Sequence, residues 1–343
     1  MVELIKQWLD EGKISRAAYL NLIGEQPERN TSTSRELRIS VLINTYKRAN
    51  YLIRLLDSIR NQEYSNCEII IVDDASNDET ESIVSQYKEN NHRINISYCV
   101  NADNLGVSET RRRAYLKASG DIIIFTDDDD YYIDPSYFSR LSQLYEKHAD
   151  CTMTIAASIK YNQPEEKWEY LGLNTPDALS NQEYLNGFMW RYTKPSLFAL
   201  SMKKAGLDAI HYEELQCFND TSLNLFGLLG KGKVYTINQA IGVYYFHSGN
   251  ISGNAKAEFI TENLESKEDI FQRAKIAGLL DHPKEWYYRN MSVTATFYLA
   301  GNRRRTREDK LVWRWMSEHL DRIDYYRFIA SVIKTRIMRK QGR

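Results

Sequence analysis

The sequence predicts an α/β protein built on a mostly parallel sheet flanked by helices. Between residues 37 and 135, short apolar runs alternate four times with polar or helical patterns, at intervals of about 25–30 residues, as βαβ units do. The runs are almost wholly apolar rather than alternating, which is typical of strands that are buried on both faces. Polar residues follow these runs at their carboxyl ends, the edge at which open parallel sheets bind ligands.

The strand and helix units can be placed in order along this part of the chain. Ser76 stands three residues before Glu79, and this spacing predicts a capping box at the start of a helix. Gly120 ends the helix before the fourth strand. The predicted strands are 39–43, 68–72, 94–100 and 121–126, and the predicted helices are 51–59, 76–88 and 108–118.

The rest of the chain is less regular. Strands are predicted at 152–159, 196–201, 234–237 and 241–247, and a helix at 220–229. From about residue 255 onward the pattern is helical, and Tyr326, Ala330, Ile333 and Ile337 share one helix face. We therefore expect three parts: an N-terminal helical appendix and linker (1–36), an α/β domain (37–254) and a C-terminal helical region (255–343) that is basic at its end.

Composition excludes several classes of protein. The 343 residues include 45 basic and 46 acidic ones, a balance that argues against a protein that coats nucleic acid. The four Cys are far apart and form no C-x-x-C pair, so neither a zinc cage nor a disulfide framework is expected. No apolar run approaches the roughly 18 residues of a membrane span, and residues 1–10 lack the apolar core of a signal peptide. These features predict a cytoplasmic protein.

Four consecutive aspartates, Asp127 to Asp130, follow the fourth strand. Alternate residues of a strand point the same way, so Asp127 and Asp129 could address one ligand together. Oxygen-only, charge-dense ligands suit a hard divalent ion, Mn²⁺ or Mg²⁺. The alternative is a solvated acidic turn, which the position after a buried strand makes less favourable.

Other polar residues lie near the same predicted edge. Asp74 follows the second strand, where it could accept hydrogen bonds from a nucleoside or cap a helix. Arg111 opens the third helix and could neutralise a diphosphate, whereas at least two of the three arginines 111–113 are expected on a solvated face. Asp220 is either a general base or a helix N-cap, and His247 is either structural or a metal ligand.

The order and spacing of these motifs resemble the family 2 glycosyltransferases with the GT-A fold. The resemblance is specific over about residues 39–135, and a weaker match continues to about residue 252. The first 36 residues and about the last 90 fall outside it. The stretches that carry it are 39–46, 58–62, 68–80, 104–106 and 118–130, followed by 219–220 and 247–252.

The resemblance implies a role for each matching residue. The donor nucleotide is expected to contact Thr45, Tyr46, Asp74, Arg111, Asp127 and Asp128. The metal is expected at Asp129, the last residue of the D-x-D motif, with His247 beside it. Asp220 takes the place of the catalytic base; because Asn219 replaces the acidic partner of that base, Glu213 and Glu214 remain alternatives.

The implied activity is a metal-dependent, inverting glycosyl transfer of the hexosyltransferase type. The donor would be a nucleotide-diphosphate sugar, and a UDP-sugar is the one expected. The acceptor would be a hydroxyl of a glycan, glycolipid or glycoprotein in polysaccharide or glycoconjugate synthesis. Two alternatives stay open at this point. One is a sugar nucleotidyltransferase, which would need a Gly-rich loop where the chain has residues 44–49, and the other is a non-catalytic sugar- or metal-binding module on the same scaffold.

The balanced net charge conceals two unlike parts. Residues 301–343 hold 13 Lys and Arg against 5 Asp and Glu, and residues 1–300 hold the remaining 32 against 41. The basic part is a predicted helix that carries an apolar face. We therefore hypothesise peripheral contact with the inner face of a membrane; the alternative is a helix packed on the catalytic domain or on a partner subunit. The basic residues beside that face are Arg327, Lys334, Arg336, Arg339 and Lys340.

Overall fold

The structure of the protein is a computed structural model that describes residues 2–24, 37–91, 95–250, 256–301 and 308–340. The chain divides into two compact units. Residues 1–214 with 230–247 form the first unit, and residues 215–229 with 248–343 form the second. The domain boundaries expected near residues 36 and 254 stay a prediction, because residues 25–36 and 251–255 lie outside the described part of the chain.

The described residues of the first unit form a ten-stranded mixed sheet. Its main order is β3-β2-β1-β4-β9-β6-β10-β5, with β7 paired to β6 and β8 to β10. Strands β3, β2, β1 and β4 are mutually parallel, as are β6 and β10. The strands are β1 Ile39–Thr45, β2 Cys67–Asp73, β3 Asn95–Val100, β4 Ile122–Asp127, β5 Tyr131–Tyr132, β6 Cys151–Asn162, β7 Lys167–Leu171, β8 Ala178–Ser180, β9 Leu200–Lys203 and β10 Lys233–Phe246.

Helices cover this sheet in the first unit and make up most of the second. In the first unit they are α1 Val2–Asp10, α2 Arg16–Leu22, α3 Ala49–Arg60, α4 Thr80–Asn90, α5 Gly106–Lys117, α6 Tyr137–Lys147, α7 Asn181–Gly187 and α8 Lys204–Asp208. In the second unit they are α9 Asp220–Gly227, α10 Ala257–Ile276, α11 Pro283–Gly301, α12 Asp309–His319 and α13 Arg322–Lys340. The predicted α/β class, with a mostly parallel sheet flanked by helices, is confirmed.

The core explains why the all-apolar runs became central strands. Val41 and Ile43 of β1 are fully buried and belong to the same cluster as Ile69 and Ile71 of β2. Helix α3 contributes Leu52, Leu55, Leu56 and Ile59 to this cluster. Because both faces of these strands are covered, their polar atoms can reach a ligand only at the strand ends.

The N-terminal helices pack on the sheet. Ile5 and Trp8 of α1 and Ala18 of α2 are buried in a cluster with Ile159 of β6 and Val243 of β10. A hydrogen bond reinforces the packing of these helices on the sheet: the Ala240 N–H of β10 donates to the Lys13 carbonyl at 2.8 Å. These helices are therefore part of the first unit's core.

The helix start predicted at Ser76 is wrong. The Ser76–Glu79 capping box does not form, since the Ser76 hydroxyl accepts a hydrogen bond from the Lys47 N–H at 2.8 Å. The Asp78 carboxylate instead accepts from the Thr80 N–H at 3.0 Å, and the helix begins only at Thr80.

The strands predicted at 234–237 and 241–247 are a single strand, β10. Register shifts against β6 at Ile237/Ala240 and Ala240/Val243 interrupt its pattern, as a bulge does. The strand predicted at 196–201 starts instead as a 3₁₀ turn, Leu197–Ala199, and becomes extended only in β9.

In the second unit the helices share a core of their own. Phe328 and Val332 bury one side of α13 in a cluster with Met291 and Leu299 of α11. The apolar stripe expected on α13 points elsewhere: Tyr326, Ala330, Ile333 and Ile337 are all exposed. Among the described residues, no helix has both the length and the apolar character needed to cross a bilayer.

Candidate functional site

The parallel strands bring the predicted polar residues to one edge. In the register of the sheet, Asn44 of β1 pairs with Asp127 of β4, and Thr45 pairs with Asp73 of β2. The chain leaves β4 at Asp127, so the next three aspartates form the turn at this edge. The site is therefore built from strand ends, as the sequence predicted.

Three carboxylates converge at this turn. Asp127, Asp129 and Asp130 each present an oxygen, and these oxygens all lie within 4.8 Å of one another. Asp129 and Asp130 are buried, and Asp127 is partly exposed. A compact set of carboxylate oxygens matches the ligands that Mg²⁺ and Mn²⁺ prefer, so these residues fit a divalent ion.

The solvated-turn alternative is wrong for Asp129 and Asp130. Asp130 was not among the predicted ligands, and its carboxylate also accepts from the Tyr245 N–H at 3.0 Å.

Asp128 is held by partners outside the three converging carboxylates. It accepts a hydrogen bond from the Thr45 hydroxyl at 2.7 Å and one from Arg48 at 3.1 Å. Burial raises the pKa of Asp128 to about 7, against the opposing charge of Arg48. Burial and the charge of Asp127 likewise raise the pKa of Asp129. Two residues predicted to contact the donor, Thr45 and Asp128, thus hold each other at the strand ends.

His247 reaches the cluster from the end of β10. Its Nε2 lies 3.0 Å from Asp129 Oδ2, and its ring stacks on Tyr51 with the centroids 5.0 Å apart. The structure therefore brings together the two residues predicted for the metal. Its role as a ligand stays a prediction.

Two arginines that the sequence analysis did not single out also reach the aspartates. Arg48, at the N-cap of α3, places Nη1 3.1 Å from Asp128 Oδ1 and 3.0 Å from Asp129 Oδ2. Arg54, one and a half turns into α3, donates to the Asp129 carbonyl and packs over the rings of Tyr131 and Tyr245. Only a weak signal for them lies in the sequence: Arg48 is the N-cap of the helix that follows β1, and Arg54 lies in its second turn.

Arg111 is the buried member of its basic run. Its Nη2 lies 2.6 Å from Asp127 Oδ1, and its Nε donates to Asn44 Oδ1 at 3.1 Å. Arg112 and Arg113 instead pair with Glu109 on the partly exposed side of α5. The expectation that at least two of the three arginines are solvated is confirmed.

Asp74 and Tyr46 occupy different surroundings at this edge. The Asp74 carboxylate accepts from the N–H groups of Leu105 and Gly106, both at 2.8 Å, and so fixes the start of α5. Gly106 has a φ of +81°, a left-handed conformation that favours glycine. Tyr46 is exposed, with the Lys47 ammonium over its ring. Their contacts with a donor nucleotide stay predictions.

Asp220 is the first residue of α9, in the second unit. The N-cap is Asn219, whose side-chain oxygen accepts from the N–H groups of Thr221 and Ser222, both at 3.0 Å. The alternative that Asp220 is the N-cap is therefore wrong. Its role as a base stays a prediction, as do those of Glu213 and Glu214, which lie in a 3₁₀ turn of the first unit.

Comparison with known proteins identifies the family of the domain that carries this edge. The family model described as glycosyl transferase family 2 matches residues 40–207, which include the aspartates, Arg111 and all of β1 but its first residue. Residues 40–207 are therefore a domain of glycosyltransferase family 2. The family predicted from the motifs is confirmed, and with it the class of glycosyltransferases; the hexosyltransferase type stays a prediction.

Curated relatives agree with the family. The chain is 28% identical over 225 residues to glycosyltransferase GlyA of Streptococcus pneumoniae, a match that covers 63% of this chain and 31% of GlyA. It is 26% identical over 223 residues to glycosyltransferase GlyG of the same organism, covering 62% of this chain and 72% of GlyG. A Campylobacter jejuni GalNAc(5)-diNAcBac-PP-undecaprenol beta-1,3-glucosyltransferase is 26% identical over 210 residues, covering 60% and 64%. The matches thus span less than two thirds of the first and third relatives.

Solved structures agree with the fold. Staphylococcus aureus TarS residues 1–349, solved with UDP-GlcNAc, superposes with a TM-score of 0.59 at 16% identity, covering 90% of this chain and 93% of that one. The UDP complex of the same protein gives a TM-score of 0.60 at 15% identity, covering 90% and 92%. The predicted GT-A fold is confirmed.

Proposed function

We propose that this protein transfers a sugar from a nucleotide-diphosphate sugar to an acceptor hydroxyl, with inversion at the anomeric carbon. The observation that carries the proposal is the convergence of Asp127, Asp129 and Asp130 at the ligand-binding edge of a family 2 domain. A UDP-sugar is the donor we favour. TarS, which has the same fold, was solved with UDP-GlcNAc and with UDP.

Asp127, Asp129 and Asp130 would hold the Mn²⁺ or Mg²⁺, with His247 beside Asp129. When bound, a divalent ion neutralises the phosphates of the leaving nucleoside diphosphate. Arg111 already pairs with Asp127, so its guanidinium orients that carboxylate and adds positive charge to the side on which the diphosphate would leave. Thr45, Tyr46, Asp74 and Asp128 would line the nucleoside part of the donor.

Asp220 would act as the catalytic base. As a carboxylate it can take the proton of the acceptor hydroxyl while the hydroxyl oxygen attacks the anomeric carbon. Attack from the side opposite the leaving diphosphate inverts that carbon in a single displacement. Asn219 supports this assignment, because it supplies the N-cap of α9 and leaves the capping role to a neutral side chain.

The acceptor would be a glycan, glycolipid or glycoprotein in the synthesis of a polysaccharide or glycoconjugate. The names of several relatives point to surface polymers. They include the undecaprenol-linked C. jejuni enzyme, a Bacillus subtilis teichuronic acid biosynthesis glycosyltransferase and the S. aureus poly(ribitol-phosphate) beta-N-acetylglucosaminyltransferase.

We also propose that the protein is cytoplasmic and that α13 makes peripheral contact with an anionic membrane surface. Ile323 and Tyr326 are 71% and 60% exposed, and Ala330, Ile333 and Ile337 continue the same stripe at alternating spacings of four and three residues. Exposed cations flank the stripe at Arg327, Lys334 and Arg339. A second copy of this helix would bring like charges together, whereas anionic headgroups would neutralise them. Charge complementarity therefore favours a membrane.

The donor and metal assignments can be tested by calorimetric titration of UDP and GDP, each with and without Mn²⁺. We expect UDP to bind more tightly than GDP, and only with Mn²⁺. Asp129→Asn should lower the UDP affinity by at least about tenfold, since a charged ligand to the ion is lost. Asp150→Asn, which changes a carboxylate paired with Lys233 at the surface, is the matched control. Metal-independent binding, or equal binding by the two variants, would contradict the proposal.

A further inference from the structure

The guanidinium of Arg48 joins two aspartates of the site through one nitrogen. Its Nη1 is 3.1 Å from Asp128 Oδ1 and 3.0 Å from Asp129 Oδ2. Asp129 Oδ2 is the same oxygen that faces His247 Nε2 at 3.0 Å. Arg48 therefore holds a carboxylate oxygen of one of the three residues that fit a divalent ion.

Arg48 differs from the other cations of the site in how it is held. Arg111 is 5% exposed and is fixed by both Asp127 and Asn44. His247 is buried and stacked on Tyr51. The side chain of Arg48 is 25% exposed, while those of its two aspartates are 2% exposed. Arg48 thus enters the site from solvent on a long, flexible side chain, and a quarter of that side chain stays in contact with water.

A divalent ion at this cluster would compete directly with Arg48. Asp129 Oδ2 contacts the guanidinium of Arg48 at 3.0 Å, so its attraction to a second cation on the same side would be offset by the repulsion between the two cations. Two cations brought together at Asp129 would repel each other. Binding of the ion therefore favours departure of the guanidinium from Asp129.

Once displaced, the guanidinium remains close to the site. Arg48 is the N-cap of α3, directly after the loop from β1, so its backbone is fixed at the ligand-binding edge. A planar guanidinium with several donors matches the oxygens of a phosphate. The anion that enters with the ion would supply those oxygens.

We propose that Arg48 is an exchangeable counter-ion. It neutralises Asp128 and Asp129 while the ion is absent, and it transfers from Asp129 to the diphosphate of the donor when the ion and nucleotide bind. This inference rests on the proposed function for the identity of the ion and the nucleotide. It assigns to Arg48 a donor-binding role that couples metal binding to donor binding.

The first test is Mn²⁺ alone, measured by electron paramagnetic resonance of the free ion in a titration of the full-length protein. Arg48→Gln should bind Mn²⁺ about tenfold more tightly than the unchanged protein, because the competing cation is gone. Arg48→Lys keeps the charge, so its Mn²⁺ affinity should stay within about twofold of the unchanged protein. Arg38→Gln is the matched control, since Arg38 pairs with Glu68 at the opposite ends of the strands.

The second test is UDP at saturating Mn²⁺, measured by calorimetry. Arg48→Gln should bind UDP about tenfold more weakly, so the two affinities move in opposite directions. A merely structural role would lower both affinities together, and that result would overturn the proposal. Unchanged Mn²⁺ affinity in Arg48→Gln would also overturn it.

The same titrations separate this inference from the function on which it rests. If the unchanged protein and Arg48→Gln both fail to bind Mn²⁺ with UDP present, the metal-dependent function is wrong and the counter-ion role fails with it. If the unchanged protein binds Mn²⁺ with UDP and Arg48→Gln behaves identically, only the role of Arg48 is wrong. Thermal unfolding adds a readout of folding: Mn²⁺ should raise the melting temperature of Arg48→Gln more than that of the unchanged protein.

Discussion

His247 Nε2 lies 3.0 Å from Asp129 Oδ2, although 118 residues separate the two in the sequence. The contact is possible because β10 runs through the sheet and delivers His247 to the edge at which β4 ends. Tyr51 of α3 stacks on the imidazole from a third part of the chain. The site therefore depends on the packing of the whole first unit.

Arg111 should be required for donor binding, whereas its neighbour Arg112 should not. Arg111→Gln removes a buried charge-assisted hydrogen bond to Asp127 and should lower UDP affinity about tenfold in the presence of Mn²⁺. Arg112→Gln changes a surface pair with Glu109 and should leave that affinity unchanged. Calorimetry on both variants checks the prediction, and equal losses would contradict it.

Asp220→Asn should abolish transfer to the acceptor, because an amide cannot accept the hydroxyl proton. Hydrolysis of the donor by water should persist, since donor and metal binding do not use this residue in the proposed mechanism. Chromatography of the reaction products separates the two activities. Asn219→Ala is the companion variant: it removes the N-cap and should lower the free energy of unfolding by about 1 kcal/mol. Unimpaired transfer by Asp220→Asn would make Glu213 and Glu214 the residues to test next.

The exposed stripe of α13 should control binding to membranes. Replacing Ile333 and Ile337 together by Glu should reduce flotation with anionic liposomes by more than about tenfold, because each buried Ile side chain contributes about 1.5–3 kcal/mol. Ile276→Glu, which changes an exposed isoleucine at the end of α10, is the control and should float normally. Liposomes of neutral lipid should bind the unchanged protein weakly. Equal flotation of all variants would refute the membrane contact.

Glu68 should make stability depend on pH. Burial disfavours its ionised form, but hydrogen bonds from Ser40 and Ser119 together with the charge of Arg38 outweigh burial and lower the pKa of Glu68 below its ordinary value of 4.5. The ionised group therefore stabilises the fold above about pH 4.5, and this stabilisation is lost as the pH falls through the lowered pKa.

Glu68→Gln should consequently cost about 1–3 kcal/mol near neutral pH and much less near about pH 3. Urea unfolding at several pH values measures the difference. A cost that stays constant with pH would show that the ionised form of Glu68 has no special role. Because Glu68 pairs in register with Ser40 at the beginning of the strands, this variant should leave UDP binding unchanged.

The fold could be predicted because its strongest signal is local. Runs such as Ile69 to Val72 are apolar at every position, and only a strand covered on both faces accommodates that pattern. The bulged β10 was divided into two strands because its register shifts break the periodicity in the sequence. The capping box failed because Ser76 had a closer partner in Lys47, which lies in the neighbouring loop.

Only those site residues that lie at strand ends or in family motifs could be predicted. Asp127, Asp129 and Arg111 follow from those signals. Arg48 and Arg54 do not, because an arginine at the cap or in the first turns of a helix is usually solvated. Only the tertiary structure shows that these two turn inward. The exposure of the α13 stripe was equally hidden, since periodicity reveals an apolar face without saying which face the core takes. In α13 the core covers the face that carries Phe328 and Val332.

The seating of α1 and α2 against β6 and β10 bears on how the protein can be shortened. A fragment that begins at residue 37 would lose Ile5 and Trp8 and open the apolar surface around Ile159 and Val243 to water. Such a surface promotes aggregation. A fragment that stays in solution must therefore keep the first two helices. An affinity tag at that end needs a spacer long enough not to disturb the packing of Ile5.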